Sequence, residues 1–204
     1  MPDLIKIKQR IYRNIEAGRF DAVITQLDKV LRKSPADAEL WFLHGAASGQ
    51  LGNYDAAIRS LHKAVSLNPS NLEACANLGL AYIRSAKYPQ AIETYRALLD
   101  KSQSYPGAHF HLGYACLASG NIMDALTYLK DAIRLQPQNI EAYVYLVKAL
   151  MSMGLPREAL QTVQKGLMID PDRRDLLILG ASQHMELGQL REAGVKLDRV
   201  LAAE

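Results

Sequence analysis

The stretch HFHLGYACLASG, from His109 to Gly120, carries two imidazoles two residues apart and a thiol five residues further on. Those groups could ligate zinc, or pair a cysteine nucleophile with a histidine base. Both chemistries require the side chains to converge. Two residues along an α-helix turn the chain by about 200°. On a helix His109 and His111 therefore face opposite ways and cannot hold one ion. The remaining histidines, His44, His62 and His184, and the second cysteine, Cys75, are scattered along the chain. The run GLAYIRSAK lacks the order of a phosphate-binding loop, and there is no serine elbow, no His-Glu-x-x-His and no Cys-x-x-Cys. These residues point to no catalytic set, no metal site and no cofactor, and the chain is not expected to be an enzyme.

The bulk properties bound the answer further. Hydrophobic residues make up 49% and charged residues 22% of 204, the balance of a folded chain rather than a disordered one. A net charge of +3 is too small for a nucleic-acid footprint. Lys6, Lys8 and Arg10 interrupt the aliphatic N-terminus, which removes the apolar stretch a signal peptide needs. No run approaches the roughly 18 apolar residues of a spanning helix, so no membrane insertion is expected. Two cysteines cannot build a disulfide framework, and a reduced, cytoplasmic setting follows.

The elements that position these residues emerge from internal repetition. GNYDAAIRSLHKAVSLNP (52–69) and GNIMDALTYLKDAIRLQP (120–137) align with starts 68 residues apart, twice 34. A 34-residue period divides the chain into 4–37, 38–71, 72–105, 106–139, 140–173 and a shortened 174–204. Counted from the start of each unit, position 20 reads Val23, Ala57, Ala91, Ala125, Ala159, Ala193. Position 8 reads Ile11, Gly45, Gly79, Gly113, Val147, Ala181, and position 24 reads Leu27, Leu61, Tyr95, Leu129, Val163, Leu197. Apolar residues at positions 4, 7, 8 and 11 share one helical face, and those at 20, 24 and 27 share another. Glycine at position 15, replaced by Ala86 in the third unit, suits a left-handed residue that ends a helix. Asn53 and Asn121 are placed to cap the second helices, and Asp37, Asn71 and Asn139 the next first helices. Proline at position 32 stops the second helix.

This pattern resembles the tetratricopeptide repeat. Leu78, Gly79, Tyr82, Ala91 and Tyr95 carry its signature in the third unit, and Trp41, Gly45, Ala57, Leu61 and Pro69 in the second. The first unit departs most, with Arg10 and Asn14 at apolar positions, as suits a terminal repeat facing solvent. The resemblance implies an all-α protein. It would be an α-solenoid of about six repeats, each an antiparallel helix pair, in a single array over 4–204 that winds as a right-handed superhelix. It also implies a scaffold or adaptor for a protein or peptide partner.

The resemblance assigns positions 2, 5, 6, 9, 12 and 13 of each first helix to a concave groove. In the four inner repeats those 24 positions hold five charges and ten large apolar or aromatic residues, Val144 among them. The expectation is a groove for an apolar or aromatic peptide segment. Its residues are Phe42, Leu43, Asn77, Leu80, Ile83, Arg84, Phe110, His111, Tyr114, Leu117, Tyr145, Lys148 and Met151. Asn77 suits a ligand backbone and Lys148 a carboxylate. The clamp that some members use for chaperone C-termini is not matched, because Phe42, Ala46, Gly107 and His111 occupy its positions. The asparagine ladder of O-linked N-acetylglucosamine transferases is reduced to Asn77. Glu39, Glu73, Glu141 and Asp175 share position 2, in the first helical turn, where carboxylates suit the dipole. His109, Cys75 and Cys116 occupy inward positions.

At the far end, Leu197, Val200 and Leu201 would be covered in a longer array. An uncapped helix of this kind invites a homo-oligomer contact, or marks a repeat region cut from a longer chain. The alternative functional reading is thus a regulatory or substrate-binding region of a larger enzyme, such as a glycosyltransferase or sulfotransferase.

Overall fold

The structure, a computed structural model, describes residues 2–202, with side chains from 5 to 201. The described residues form helices and turns, with no strand among them. They pack as two compact units, Met1–Lys101 and Ser102–Glu204. The first holds α1 (Pro2–Glu16), α2 (Phe20–Leu31), α3 (Ala38–Gln50), α4 (Tyr54–Leu67), α5 (Leu72–Arg84) and α6 (Tyr88–Lys101). The second holds α7 (Ala108–Ala118), α8 (Ile122–Leu135), α9 (Ile140–Ser152), α10 (Pro156–Ile169), α11 (Arg174–Glu186) and α12 (Leu190–Ala202). Each repeat is one helix pair. Within each unit, every helix packs on its chain neighbour, and successive first helices also touch: α3 on α5, α7 on α9, α9 on α11.

The caps explain where helices begin. Asp37 Oδ1 accepts from the amides of Glu39 and Leu40 at 3.0 and 3.2 Å. Asn53, Asn71 and Asn139 each accept from the amide three residues on. Asn121 departs from expectation: it holds the N-cap position of α8, but its side chain makes no capping bond. α7 begins at position 3 of its repeat, because Pro106 and a left-handed Gly107 (φ 75°) occupy positions 1 and 2.

The pairs are held together by one close contact. A β-carbon on Gly45 would lie 2.5 Å from Leu61 Cγ, one on Gly79 2.6 Å from the Tyr95 ring, and one on Gly113 2.7 Å from Leu129 Cγ. Position 8 is therefore glycine so that position 24 can press onto the backbone of the first helix. Tyr95 is 1% exposed, and its hydroxyl donates to the Ala76 carbonyl at 3.1 Å, so its burial leaves no orphan polar atom.

In the second and fifth repeats, position 4 closes onto the end of the preceding repeat. Trp41 Nε1 donates to the Pro35 carbonyl at 2.9 Å, and the Tyr143 hydroxyl to the Pro137 carbonyl at 3.1 Å. In the fourth repeat this position is His109, and its buried Nδ1 has no hydrogen-bond partner among the described residues. Burial also pushes the His109 imidazole below the usual histidine range. Cys75 and Cys116 are buried and unbridged, as their inward positions imply.

Two substitutions test these constraints. Gly79→Val drives a side chain into the Tyr95 ring and should cost about 2 kcal/mol or more, read by urea unfolding. Ala86 holds the left-handed region at φ 54°, where neighbouring repeats have glycine. Ala86→Gly should therefore stabilise by about 1 kcal/mol, raising Tm by roughly 2–4 °C.

Candidate functional site

The expected groove residues fall into three groups. In the second unit, side chains from α7 and α9 meet in an aromatic strip. Phe110 and Tyr145 have ring centroids 5.8 Å apart, and Tyr114 meets Tyr145 edge-on at 4.9 Å. Lys148 Nζ lies 4.8 Å from the Tyr145 centroid, and His111 stands against Phe110 at 5.2 Å. Leu117 and Met151 lie one turn further along the same helices, both half-buried. The spacing is helical: Phe110 and Tyr114 are four apart, Tyr145 and Lys148 three apart. Burial raises the Tyr145 phenol above the usual tyrosine range, with Tyr114 and Glu141 adding to it.

In the first unit, Asn77, Leu80 and Arg84 on α5 border a cleft of about 320 Å³. Its other wall is α3, and its floor includes Ala57 and Leu61. Ile83 is half-buried on the same helix, and Phe42 packs partly on the core. Gln50, at groove position 13, also lines this cleft, as does Tyr54 at the start of α4, which lies outside the groove positions. The available signal was the smallness of Ala46 and Gly49 at positions 9 and 12.

The third group is a correction. Leu43 is 5% exposed and belongs to the core cluster of Ile11, Leu27 and Leu40. Val144 is likewise 2% exposed. Both face neighbouring helices rather than a ligand, because a first helix flanked by others has little free arc.

Chemistry appears at one place the sequence did not suggest. Ser60 Oγ lies 2.8 Å from His44 Nδ1, and His44 Nε2 lies 3.3 Å from Asp28 Oδ1. These are the residue types of a hydrolytic triad. Ser60 is 3% exposed, however, so a substrate cannot reach it. The line of three instead ties α2, α3 and α4 together.

The position-2 carboxylates are mostly engaged within the chain. Lys8 Nζ and the Tyr12 hydroxyl both donate to Glu39, the latter at 2.7 Å, and the pair holds its carboxyl below the usual range. Arg173 bridges Glu141 and Asp175, with Nε 2.8 Å from Asp175 Oδ1, and these bonds raise its own pKa. Glu73 has no such partner among the described residues. A free acidic row for a basic peptide is therefore not presented.

The family model described as tetratricopeptide repeat matches residues 13–71, 45–109 and 76–140, and a second of the same description matches 116–182. Among solved structures, a crystal structure of MamA is 24% identical, with TM-score 0.76 over 81% of this chain and 90% of that one. MamA from Desulfovibrio magneticus RS-1 is 18% identical, with TM-score 0.77 over 82% and 94%. YrrB, described as a TPR protein with an unusual peptide-binding site, is 20% identical, with TM-score 0.72 over 86% and 91%. At these identities the likeness speaks for the fold. No curated protein sequence matches the chain. No helix of the described residues is long and apolar enough to cross a membrane.

The Glu39 cluster makes a pH prediction. Its hydrogen bond to Glu39, then burial, pushes the Tyr12 phenol up to about 12. A raised pKa means the Tyr12 contribution to stability is whole below pH 10.0 and is lost as pH climbs to about 12. The urea stabilities of the parent and Tyr12→Phe should converge across that window.

Proposed function

Since the chain belongs to the tetratricopeptide repeat family, with matches spanning residues 13–182, we propose that it is a protein-interaction scaffold whose aromatic strip takes an apolar or aromatic peptide segment. The observation that carries this reading is the contact of Phe110, Tyr114 and Tyr145 across α7 and α9. Aromatic side chains supply much of the energy of peptide and protein interfaces. Here the rings hold one another in place before any ligand arrives, so less side-chain entropy is lost on binding. Lys148 beside Tyr145 adds a cation at the edge, which favours a segment with a carboxylate flanking its apolar residue.

The test is selection of peptides from a random library on the parent protein. Enriched peptides should carry an aromatic or large aliphatic residue. Phe110→Ala combined with Tyr145→Ala should weaken their binding about tenfold or more, close to 1.4 kcal/mol, while the circular-dichroism spectrum is retained. Selected peptides that bind the folded double variant as tightly as the parent would sink the reading.

A further inference from the structure

The outer side of α12 carries a pattern that its own chain does not explain. Leu190, Gly194, Leu197 and Leu201 recur at steps of four, three and four, so they share an arc of about 60°. The three leucines are 69%, 40% and 65% exposed. Val200, which the repeat register also placed among the residues needing cover, is already buried. α12 packs on α11, and its buried line runs through Ala193 and Val200, roughly a quarter-turn from the leucines. Gly194 is the more telling residue. Position 21 of the other repeats reads Ile24, Ile58, Ile92, Leu126 and Leu160. A β-carbon on Gly194 would meet nothing within 4 Å. No neighbour among the described residues therefore requires glycine there, and glycine in a helix interior is less favourable than isoleucine or leucine. It leaves a notch in the stripe, between Leu190 and Leu197.

Charge is arranged beside the stripe. Arg191 and Asp198, seven residues apart, stand along the same side of it. Both are exposed, and neither has an ion-pair partner among the described residues. The first helix of the chain is unlike the last. Lys6, Arg10 and Arg13 occupy positions 3, 7 and 10 of α1 and are exposed. In later repeats position 3 is buried on the repeat before: Leu40 joins the core of Ile11 and Leu27, and Leu176 reaches Gly166. A second copy stacked head to tail would set those three cations against the leucines of α12, and desolvating unpaired charge is costly.

We propose that α12 forms a homodimer with α12 of a second copy, the two helices lying antiparallel about a two-fold axis. The reversal sets Leu190 against the partner's Leu201. Leu197 of each copy enters the notch at the partner's Gly194, which lets the helices approach closely. In the same register Arg191 and the partner's Asp198 differ by about 3 Å along the axis, within reach of the long arginine side chain. The charge pair forms twice, once for each copy. A parallel pair would set glycine against glycine and leave both notches empty. One patch serves both copies, so the contact closes at two chains and builds no filament. The stripe spans about 18 Å of helix, which makes a small interface with a Kd on the order of micromolar or above.

The experiment is sedimentation equilibrium of the full chain from about 5 µM to about 1 mM. The mass should rise from one chain to two and stop there. Leu201→Glu should weaken the dimer about tenfold or more. Gly194→Ile, which restores the residue type of the other repeats and has room in its own chain, should weaken it by a similar factor. Circular dichroism confirms that both variants keep their helices. Arg191→Asp alone and Asp198→Arg alone should each weaken association about threefold or more, and the double exchange should restore it, because only the antiparallel register re-forms the pair. A monomer at every concentration, growth beyond two chains, a dimer indifferent to Gly194→Ile and Leu201→Glu, or a double exchange that restores nothing would each overturn the proposal. The reading of the aromatic strip rests on Phe110 and Tyr145 and is untouched by any of these results.

Discussion

The structure depends on how near two helices of a repeat can come. In the second, third and fourth repeats the limit is set by a glycine at position 8, onto which Leu61, Tyr95 or Leu129 is pressed. No larger residue fits without moving the partner. Elsewhere the same space is filled differently. The first repeat sets Ile11 beside Leu27, and the fifth Val147 beside Val163, all fully buried. In the fifth repeat the glycine reappears on the other helix: Gly166 admits Leu176 of the next repeat, where a β-carbon would come within 2.5 Å. Each repeat thus fills its crossing with a different pair of side chains, and close packing makes each pair sensitive to a change in size.

That crossing decides which side chains remain for a partner. Once both helices of a pair and the neighbouring repeat have taken their share of each surface, a narrow arc of the first helix is left. In the second unit bulky aromatics fill that arc and touch each other. In the first unit small residues leave it hollow. The same repeat therefore yields two surfaces of different character, one a strip of touching rings and one a cleft lined by Arg84.

Charge pairs follow the period as well. Lys8 with Glu39, Asp55 with Lys87 and Glu141 with Arg173 join residues 31 or 32 apart, just under one repeat. Each links neighbouring repeats at the surface. Such exposed pairs contribute only about 0–1 kcal/mol apiece, so they set register and remove charge from the surface more than they hold the stack. The row from exposed Asp28 through His44 to buried Ser60 plays a related part, joining three helices through polar side chains.

The sequence by itself determined the repeat length, the helix pairs, the left-handed turn at Ala86, four of the five side-chain caps and the inward places of Cys75 and Cys116. These follow from local rules: a 3.6-residue period, a proline that cannot continue a helix, an asparagine that can satisfy a free amide. Tertiary structure decided the rest. Leu43 and Val144 carry groove positions, yet neighbouring helices cover them. Asn121 is a capping residue by type but makes no cap. Asp28, His44 and Ser60 lie 16 residues apart along the chain and meet only across three helices. The cleft at Arg84 comes from residues that are small rather than from any that attract notice. Periodicity tells which side of a helix a residue occupies, but exposure and partnership depend on what the next helix brings, and that is settled only when the helices pack.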